Sequence, residues 1–301
     1  MQMKISFWHK NLWRLARTPL IHIVKQALRL KERRQIIKRK TFAKELHVDD
    51  CYNELSKSLL NDGYCFLDNV VDKNLLSAIS IAGAQKLDLA DNSFNAQVKD
   101  HKDFWLRLLD SDKCDGALLT DNPFVSFALQ SPILSVLVGF FGEIPLLDDV
   151  LLTLSRTTKK SFSLSQLWHR DYDDTKTVKL FVYLTDVASK QDGPFTFIDG
   201  PSSDRVGSSL RSRRGDIEIL ERLPSDAINE VIAPRLSVFM VNTSRCLHMG
   251  SRVAEGHERL LYTASYISSP RIYPEPAPRF QTIGNEPEVV RLLLGLQIDR
   301  K

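Results

Sequence analysis

Two histidines and one aspartate constrain the fold of this chain more than any other feature of its sequence. His169 and Asp171 stand two positions apart, so in an extended segment their side chains point to the same side. His248 lies 79 residues beyond His169. Only a fold that returns distant strands to neighbouring positions brings the three together, as antiparallel barrels and jelly rolls do. Two imidazoles and one carboxylate on one face of a metal leave its other face open, so these residues predict a mononuclear iron site.

The segments around these residues have the patterns of β-strands. Residues 148–157 read as one strand, and residues 178–187 alternate and are rich in β-branched and aromatic side chains. A further strand-like run holds Arg259, Leu261 and Thr263 on one face. A guanidinium held on that face presents a planar fork of donors to a carboxylate. The sequence therefore predicts an anion site near the metal site.

Three sequence blocks in this order resemble the phytanoyl-CoA dioxygenase family of iron(II) and 2-oxoglutarate-dependent oxygenases. The blocks are "QLWHRDYDD", then "VKLFVYLTDV" closing into "DGPFTFIDGPSS", and finally "CLHMGSRVAEGHERLLYTASY". The resemblance extends over residues 60–270. It implies a mainly β fold, in which a double-stranded β-helix core of the jelly-roll, cupin-like type is flanked by α-helices.

The same resemblance implies a ligand set and a reaction. His169, Asp171 and His248 would hold Fe(II), and Arg259, which follows His248 by the usual interval of the family, would grip the distal carboxylate of 2-oxoglutarate. With O2 as the second co-substrate, the expected reaction is hydroxylation of an unactivated C–H bond. The presence of Asp171 favours oxygenation, because iron halogenases of this broad fold carry a small residue in its place.

Four further residues are candidates for contacts to the co-substrate. Ser251, Thr263 and Arg156 are assigned to the 2-oxoglutarate pocket on the resemblance. Lys179 lies among apolar neighbours in a predicted strand and has two interpretations. It is either an anion contact in the pocket or an edge lysine that discourages pairing with another strand.

Positive charge is concentrated at the start of the chain. Residues 1–40 contain twelve Lys or Arg and one acidic residue, a net charge of +11, and because the whole chain carries +4 the remainder sums to −7. Trp8, Trp13 and many aliphatic residues are interleaved with these charges. The mixture predicts an amphipathic helix on an anionic membrane surface, broken at Pro19. The alternatives are packing on the chain's own domain, a solvated leader and a mitochondrial transit peptide.

The sequence predicts three parts, which are a basic amphipathic N-terminal arm (residues 1–42), an oxygenase domain (residues 43–270) and a C-terminal tail packed on that domain (residues 271–301). The substrate is expected to be a small organic molecule, either free or lipid-linked, with a sugar among the candidates. Nucleic acid is not an expected partner, because no recognised reading module accompanies the basic charge. The alternative to an enzyme is a membrane-associated, catalytically inactive metal-binding or adaptor protein on the same scaffold.

Helix signals surround the predicted strands. Asp49 or Asp50 is the expected N-cap of a helix that stops at Gly63. Residues 102–109 predict a further helix, and residues 123–141 predict buried helices because they are apolar on nearly every face.

Cysteine usage and hydropathy bear on the compartment. The four cysteines show no close spacing, which argues against a zinc ribbon and against a disulfide framework. No apolar run approaches the roughly 20 residues that a membrane-spanning helix needs. The expected location is the cytoplasm, with a peripheral position at the inner face of a membrane if the arm binds there.

Overall fold

Helices and strands follow one another along the part of the chain that the computed structural model describes, residues 20–46, 49–92, 104–207, 213–273, 275, 277–284 and 286–296. The α-helices are α1 (Leu20–Lys31), α2 (Arg33–Glu45), α3 (Asp50–Asn61), α4 (Lys73–Asn92), α5 (Pro123–Ala128), α6 (Ser131–Phe141), α7 (Gly200–Val206), α8 (Asp216–Leu220) and α9 (Glu288–Leu293). The β-strands are β1 (Tyr64–Phe66), β2 (Trp105–Asp110), β3 (Leu118–Leu119), β4 (Leu146–Arg156), β5 (Thr177–Tyr183), β6 (Thr196–Ile198), β7 (Ile228–Glu230), β8 (Val238–Asn242), β9 (His248–Met249), β10 (Glu258–Ile267) and β11 (Phe280–Gln281).

Two antiparallel sheets form the core of the fold. The larger has the strand order β1-β8-β5-β10-β4-β2, and the smaller has the order β7-β6-β9. Neighbouring strands are mostly far apart in sequence, which is the return of distant segments that the spacing of the histidines required. The jelly-roll, cupin-like double-stranded β-helix with flanking α-helices, predicted from the sequence, is confirmed.

The two faces of the large sheet differ because side chains alternate along β10. Arg259, Leu261 and Thr263 face a cavity, whereas Tyr262 and Tyr266 point to the helices on the other side. The Tyr262 hydroxyl donates to the backbone carbonyl of α5 residue 124 at 2.6 Å, and the Tyr266 hydroxyl donates to that of residue 128 at 2.8 Å. These two bonds satisfy polar atoms that would be costly to bury alone. Helices therefore cover one face of the sheet, and the cavity lies on the other face, part of which packs against residues of the small sheet.

The predicted helices of residues 49–63 and 123–141 are present. The first is α3, with Asp49 at its N-cap, and it is followed by Gly63 at φ +88°. The second stretch forms α5 and α6, most of whose residues are buried, and α6 packs against α3. Asn122 caps α5 by accepting a hydrogen bond from the Phe124 amide at 3.1 Å. Apolar character on every face therefore correctly indicated a buried position.

The prediction of a helix over residues 102–109 is wrong. In the described part of this segment, residues from Trp105 to Asp110 form β2, which pairs with β4 so that Trp105 lies opposite Ser155. Trp105 and Arg107 face the cavity, and Leu106 packs on the opposite side. The segment is too short for a helical period to be told from alternation, and pairing with the long strand β4 decided the outcome.

A buried lysine joins α1 to the body of the protein. Lys25 is 2% exposed, and its ammonium lies 2.6 Å from the Asp174 carboxylate. It also donates to the backbone carbonyls of Ser268 and Pro270 at 2.8 and 2.5 Å. Burial lowers the pKa of Lys25, although Asp174 opposes this shift. All three ammonium hydrogens are therefore used inside the protein.

Two arginines join α1 and α2 to the body in the same way. Arg29 makes a bidentate pair with Glu143, at 2.7 and 2.6 Å. The buried Arg39 donates to the backbone carbonyls of Ile144 and Leu292 at 2.9 and 2.7 Å. The boundary predicted between residues 42 and 43 falls inside α2.

The rest of the predicted arm, with Trp8, Trp13 and the break at Pro19, lies outside the described residues. At the other end of the chain, β11 pairs in parallel with β3, and Leu292 and Leu293 of α9 are buried. Among the described helices, none combines the length and the apolar composition needed to cross a bilayer.

Candidate functional site

Three predicted metal ligands meet at one point. One donor atom from each of His169, Asp171 and His248 lies within 4.8 Å of the other two. The Nε2 atom of His169 is 3.8 Å from Asp171 Oδ1, and the Nε2 atom of His248 is 3.7 Å from Asp171 Oδ2. Two donors that each approach a divalent ion at about 2.0–2.2 Å can be at most about 4.4 Å apart, so both of these histidine–carboxylate distances allow a shared ion. The geometry fits a single ion shared by the three residues.

Backbone pairing brings these distant residues together. The amide of His169 donates to the carbonyl of His248 at 2.9 Å, and the reverse bond has the same length. The Asp171 amide donates to the carbonyl of Thr243, also at 2.9 Å. His248 begins β9, which pairs with β6 of the small sheet. The first two ligands therefore lie on an extended loop bridged to β9 rather than within a long strand.

The second ring nitrogen of each histidine is held by the backbone. His169 Nδ1 lies 2.8 Å from the carbonyl of Leu167, and His248 Nδ1 lies 3.0 Å from the carbonyl of Cys246. Because a carbonyl only accepts, Nδ1 carries the proton in each ring and Nε2 keeps its lone pair. Both imidazoles thus present the nitrogen that binds a metal towards Asp171.

The charge state of the three residues also suits a metal. Burial lowers the pKa of His169 to about 3, and it lowers the pKa of His248 as well. Burial alone would raise the pKa of Asp171, but Lys179 and the two histidines hold it below its ordinary range. Two neutral imidazoles and one carboxylate are therefore ready to bind without first losing a proton.

The metal-free protein should lose stability as the pH falls below about 6.5. Each of the two histidines has a lower pKa in the folded state than in the unfolded chain, so acid protonates the unfolded chain first. Their contribution is fully present above pH 6.5 and declines towards the folded-state pKa, with a slope approaching about 1.4 kcal/mol per pH unit for each. Urea unfolding in the presence of a chelator, from pH 7.5 down to pH 5, measures this slope. In the His169→Phe variant, the free energy of unfolding should fall less steeply with decreasing pH. An unchanged slope would contradict the lowered pKa of His169.

A second functional group lies on the cavity face of β10. Arg259 is 1% exposed, its Nη1 donates to the carbonyl of Gly193, and its Nη2 lies 3.1 Å from the hydroxyl of Ser251. Its Nε has no hydrogen-bond partner among the described residues, and none of their carboxylates lies within 4.0 Å of it. Burial lowers the pKa of Arg259. A buried guanidinium without a counter-ion is costly, so this position fits an anionic ligand.

Gly193 is required for this arrangement. It has φ +66°, and a Cβ there would lie 2.7 Å from the Cγ2 atom of Val253. Only glycine therefore permits the turn that aims its carbonyl at Arg259. The residue belongs to the "DGP" run of the second sequence block, where no pattern indicates a role in the site.

The other predicted co-substrate contacts separate into two groups. Ser251 and Thr263 both line the cavity, and the Ser251 hydroxyl also accepts from Trp105 Nε1 and lies 3.1 Å from that of Ser155. The prediction that Arg156 contacts the co-substrate is wrong, because Arg156 does not line the cavity. Odd-numbered residues of β4 face the cavity, whereas Arg156 has the opposite parity and pairs with Glu258 at 3.4 Å.

Lys179 lies in the cavity wall, and the structure excludes one of its two predicted roles. Its strand, β5, lies between β8 and β10, so it is not an edge lysine. Its register partner is Ser265, six residues along β10 from Arg259, and its ammonium lies 2.9 Å from Asp171 Oδ2. Lys179 therefore holds the carboxylate of the candidate metal site, and its contact with the co-substrate stays a prediction.

The metal ligands and Arg259 line one cavity of about 320 Å³. Its wall also includes side chains to which the sequence assigned no role, namely Trp105, Arg107, Asp149 and Asp173. Trp105 and Arg107 were missed because their segment was read as a helix. Asp149 was recoverable, because alternation along β4 places it on the same face as residues 151 and 153.

Comparison with known proteins identifies the fold. No protein-family model matches the chain, and no curated protein matches it in sequence. AviO1 from Streptomyces viridochromogenes Tue57 is 14% identical with a TM-score of 0.51, over 77% of this chain and 100% of that one. The epimerase SnoN, crystallised with Fe3+, alpha ketoglutarate and nogalamycin RO, is 16% identical with a TM-score of 0.52, over 73% of this chain and 84% of its own. EctD from S. alaskensis, in its apoform, is 12% identical with a TM-score of 0.52, over 76% of this chain and 86% of its own. At such identities the likeness establishes a shared fold.

Proposed function

We propose that the protein is an iron(II)- and 2-oxoglutarate-dependent oxygenase related to the phytanoyl-CoA dioxygenase family. One observation carries the proposal, which is that a single cavity contains three converging metal donors and a buried arginine without a counter-ion. A metal-binding protein has no need of the arginine, and an anion-binding protein has no need of the donors. A co-substrate that binds a metal at one end and carries a carboxylate at the other uses both.

The residues fit these groups chemically. Two Nε2 lone pairs and one carboxylate are the donor set that suits iron(II) and leaves positions open for other ligands. In that site, iron(II) with 2-oxoglutarate and O2 supplies an oxidant strong enough to remove a hydrogen atom from an unactivated C–H bond. His169, His248 and Asp171 would hold the metal, and Arg259 would pair with the distal carboxylate of 2-oxoglutarate.

The chain's own contribution is to position these groups and to keep water out. Phe195 stacks on the His248 ring with 5.5 Å between centroids, and Phe181 lies 4.3 Å from Phe195. This aromatic wall shields one side of the metal donors. The Lys179 ammonium fixes one oxygen of Asp171, which limits the ways in which the carboxylate can turn.

Hydroxylation of a small organic substrate is the proposed reaction. Arg107, Asp149, Asp173 and Tyr172 line the cavity beside the apolar residues, so a substrate with several polar groups suits it better than a plain hydrocarbon. A sugar or a lipid-linked sugar meets this description. SnoN, which shares the fold, is named an epimerase, so the product must be measured rather than assumed.

The test is succinate formation by the full-length protein supplied with iron(II), 2-oxoglutarate and O2. We expect slow succinate release without substrate, complete inhibition by a chelator, and a visible charge-transfer absorption when iron and 2-oxoglutarate are added without O2. In cell extract, the substrate is expected to gain one oxygen atom. If both succinate and the absorption were missing, the chain would instead be a catalytically inactive metal-binding or adaptor protein.

A further inference from the structure

We propose that the outer faces of α1 and α2 form a docking surface for an anionic lipid bilayer. We call this surface the basic face, and it consists of the exposed residues Leu20, Ile23 and Leu30 on α1 and Arg33, Ile37, Lys40 and Lys44 on α2. The proposal does not depend on the metal chemistry of the cavity. It rests on side chains that the fold leaves outside.

The outer side of α1 is unusually apolar for a surface helix. Leu20, Ile23 and Leu30 are 52%, 65% and 74% exposed, and their spacing places them in one stripe along the helix. The opposite stripe, with Ile21 and Lys25, is buried against the body. Single exposed aliphatic residues are common, but a stripe over successive turns marks an interaction surface.

The outer side of α2 adds positive charge beside this stripe. Arg33, Lys40 and Lys44 are exposed and spaced so that they share one side of the helix, with the 52% exposed Ile37 between them. Among the described residues, no acidic group pairs with any of these three. The three basic side chains are therefore available to a partner.

Four other basic residues of the same helices are already used in contacts within the protein. Lys25, Arg29 and Arg39 are used in the internal contacts described above, and Lys38 pairs with Glu288. These contacts fix both helices on the body. The basic face is thus a preformed surface and needs no folding on binding.

A bilayer with anionic headgroups is the partner whose chemistry matches best. Aliphatic side chains of such a face enter the boundary between headgroups and acyl chains, and Lys and Arg attract the phosphates. The first 40 residues carry +11 and the remainder −7, so the basic face belongs to the cationic end of a polarised chain. A second copy would bring like charges together. Nucleic acid would use the charge but leave the aliphatic stripe in water.

The basic face is close to the cavity. Ile21, on the inner side of α1, packs in one apolar cluster with Tyr172. Tyr172 lines the cavity and directly follows Asp171. Docking through α1 would therefore hold the cavity within about one helix diameter, roughly 10 Å, of the headgroups. A lipid-linked substrate would then be within reach of the enzyme.

Vesicle flotation of the full-length protein tests the proposal. One vesicle type contains phosphatidylcholine alone, and the other contains equal parts of phosphatidylcholine and phosphatidylglycerol. We expect binding to the anionic vesicles only, and a decrease when salt is added. The triple variant Arg33→Gln, Lys40→Gln, Lys44→Gln should bind about 100-fold more weakly, at about fivefold for each charge. The triple variant Leu20→Ser, Ile23→Ser, Leu30→Ser should also bind more weakly.

A matched control removes three exposed lysines elsewhere. The variant Lys73→Gln, Lys113→Gln, Lys159→Gln has the same loss of charge and should float like wild type. Equal flotation of the Arg33 triple variant and wild type would overturn the proposal. So would a dimer that the Leu20 triple variant abolishes, or binding of a nucleic acid duplex that competes with vesicles. Circular dichroism confirms that each variant is folded, and succinate formation is scored separately because it is independent of docking.

Discussion

Replacing His169 by alanine is expected to abolish metal binding and to lower succinate formation by at least about a thousandfold, a loss of about 4 kcal/mol or more of transition-state stabilisation. Substitution of groups that only orient a ligand already costs 10–100-fold in affinity, so removal of a ligand costs more. The rings of His169 and His248 are tilted by 50° with 4.3 Å between their centroids, so alanine also leaves a gap beside the second ligand. Titration with cobalt(II), followed by its visible absorption, measures the metal site directly.

The matched control is an exposed histidine elsewhere. His22→Ala changes an exposed side chain on α1 and should leave cobalt binding and succinate formation unaltered. Alanine at position 169 removes one of the two buried histidines that resist protonation, so the metal-free variant should stay folded. Its thermal melting checks this expectation. A His169→Ala protein that still bound cobalt with wild-type affinity would mean that the three donors do not share an ion.

The three candidate metal ligands could be predicted from the sequence because their residue types and their spacing both indicate a metal site. Few residue types bind iron, and the two-residue spacing of His169 and Asp171 is a local signal. The strands around them were readable because β4, β5 and β10 are long enough for alternation to be seen. The same alternation, applied to single positions of β4, would have placed Asp149 on the cavity face and Arg156 on the opposite face.

Contacts between distant segments were not predictable from local patterns. Lys25 pairs with Asp174 across 149 positions, and Arg29 pairs with Glu143 across 114. Nothing near either basic residue distinguishes it from the exposed Lys40 on the next helix. Lys179 is a similar case, since only the strand order shows that β5 is internal. The charge of the predicted arm was readable from the sequence, but its division into inward and outward residues required the structure.

Arg259→Met is expected to raise the KM for 2-oxoglutarate by about 100-fold, the equivalent of about 3 kcal/mol for losing one partner of a buried, charge-assisted pair. The effect on kcat should be smaller, because the arginine would bind the end of the co-substrate that does not react. Steady-state rates of succinate formation over a range of 2-oxoglutarate concentrations separate the two constants. Methionine keeps the volume of the aliphatic part of the arginine side chain. It removes the guanidinium, including the Nη groups that donate to Gly193 and Ser251.

Stability distinguishes a ligand-binding arginine from a structural one. Within the described residues Arg259 has no acidic partner, so its replacement by an apolar residue removes an uncompensated buried charge. The ligand-free variant should therefore melt at the same temperature as wild type or above it. Wild type with iron should gain stability from 2-oxoglutarate by mass action, whereas the variant should gain almost none at the same concentration.

Arg156→Met provides the matched control, because Arg156 lies on the neighbouring strand, opposite Glu258, and faces away from the cavity. Its KM for 2-oxoglutarate should equal that of wild type. The opposite result would be a raised KM in Arg156→Met and an unchanged KM in Arg259→Met. It would mean that the carboxylate of 2-oxoglutarate binds on the face of the sheet that points away from the cavity. A large drop in the melting temperature of ligand-free Arg259→Met would instead show that the guanidinium mainly holds the turn at Gly193.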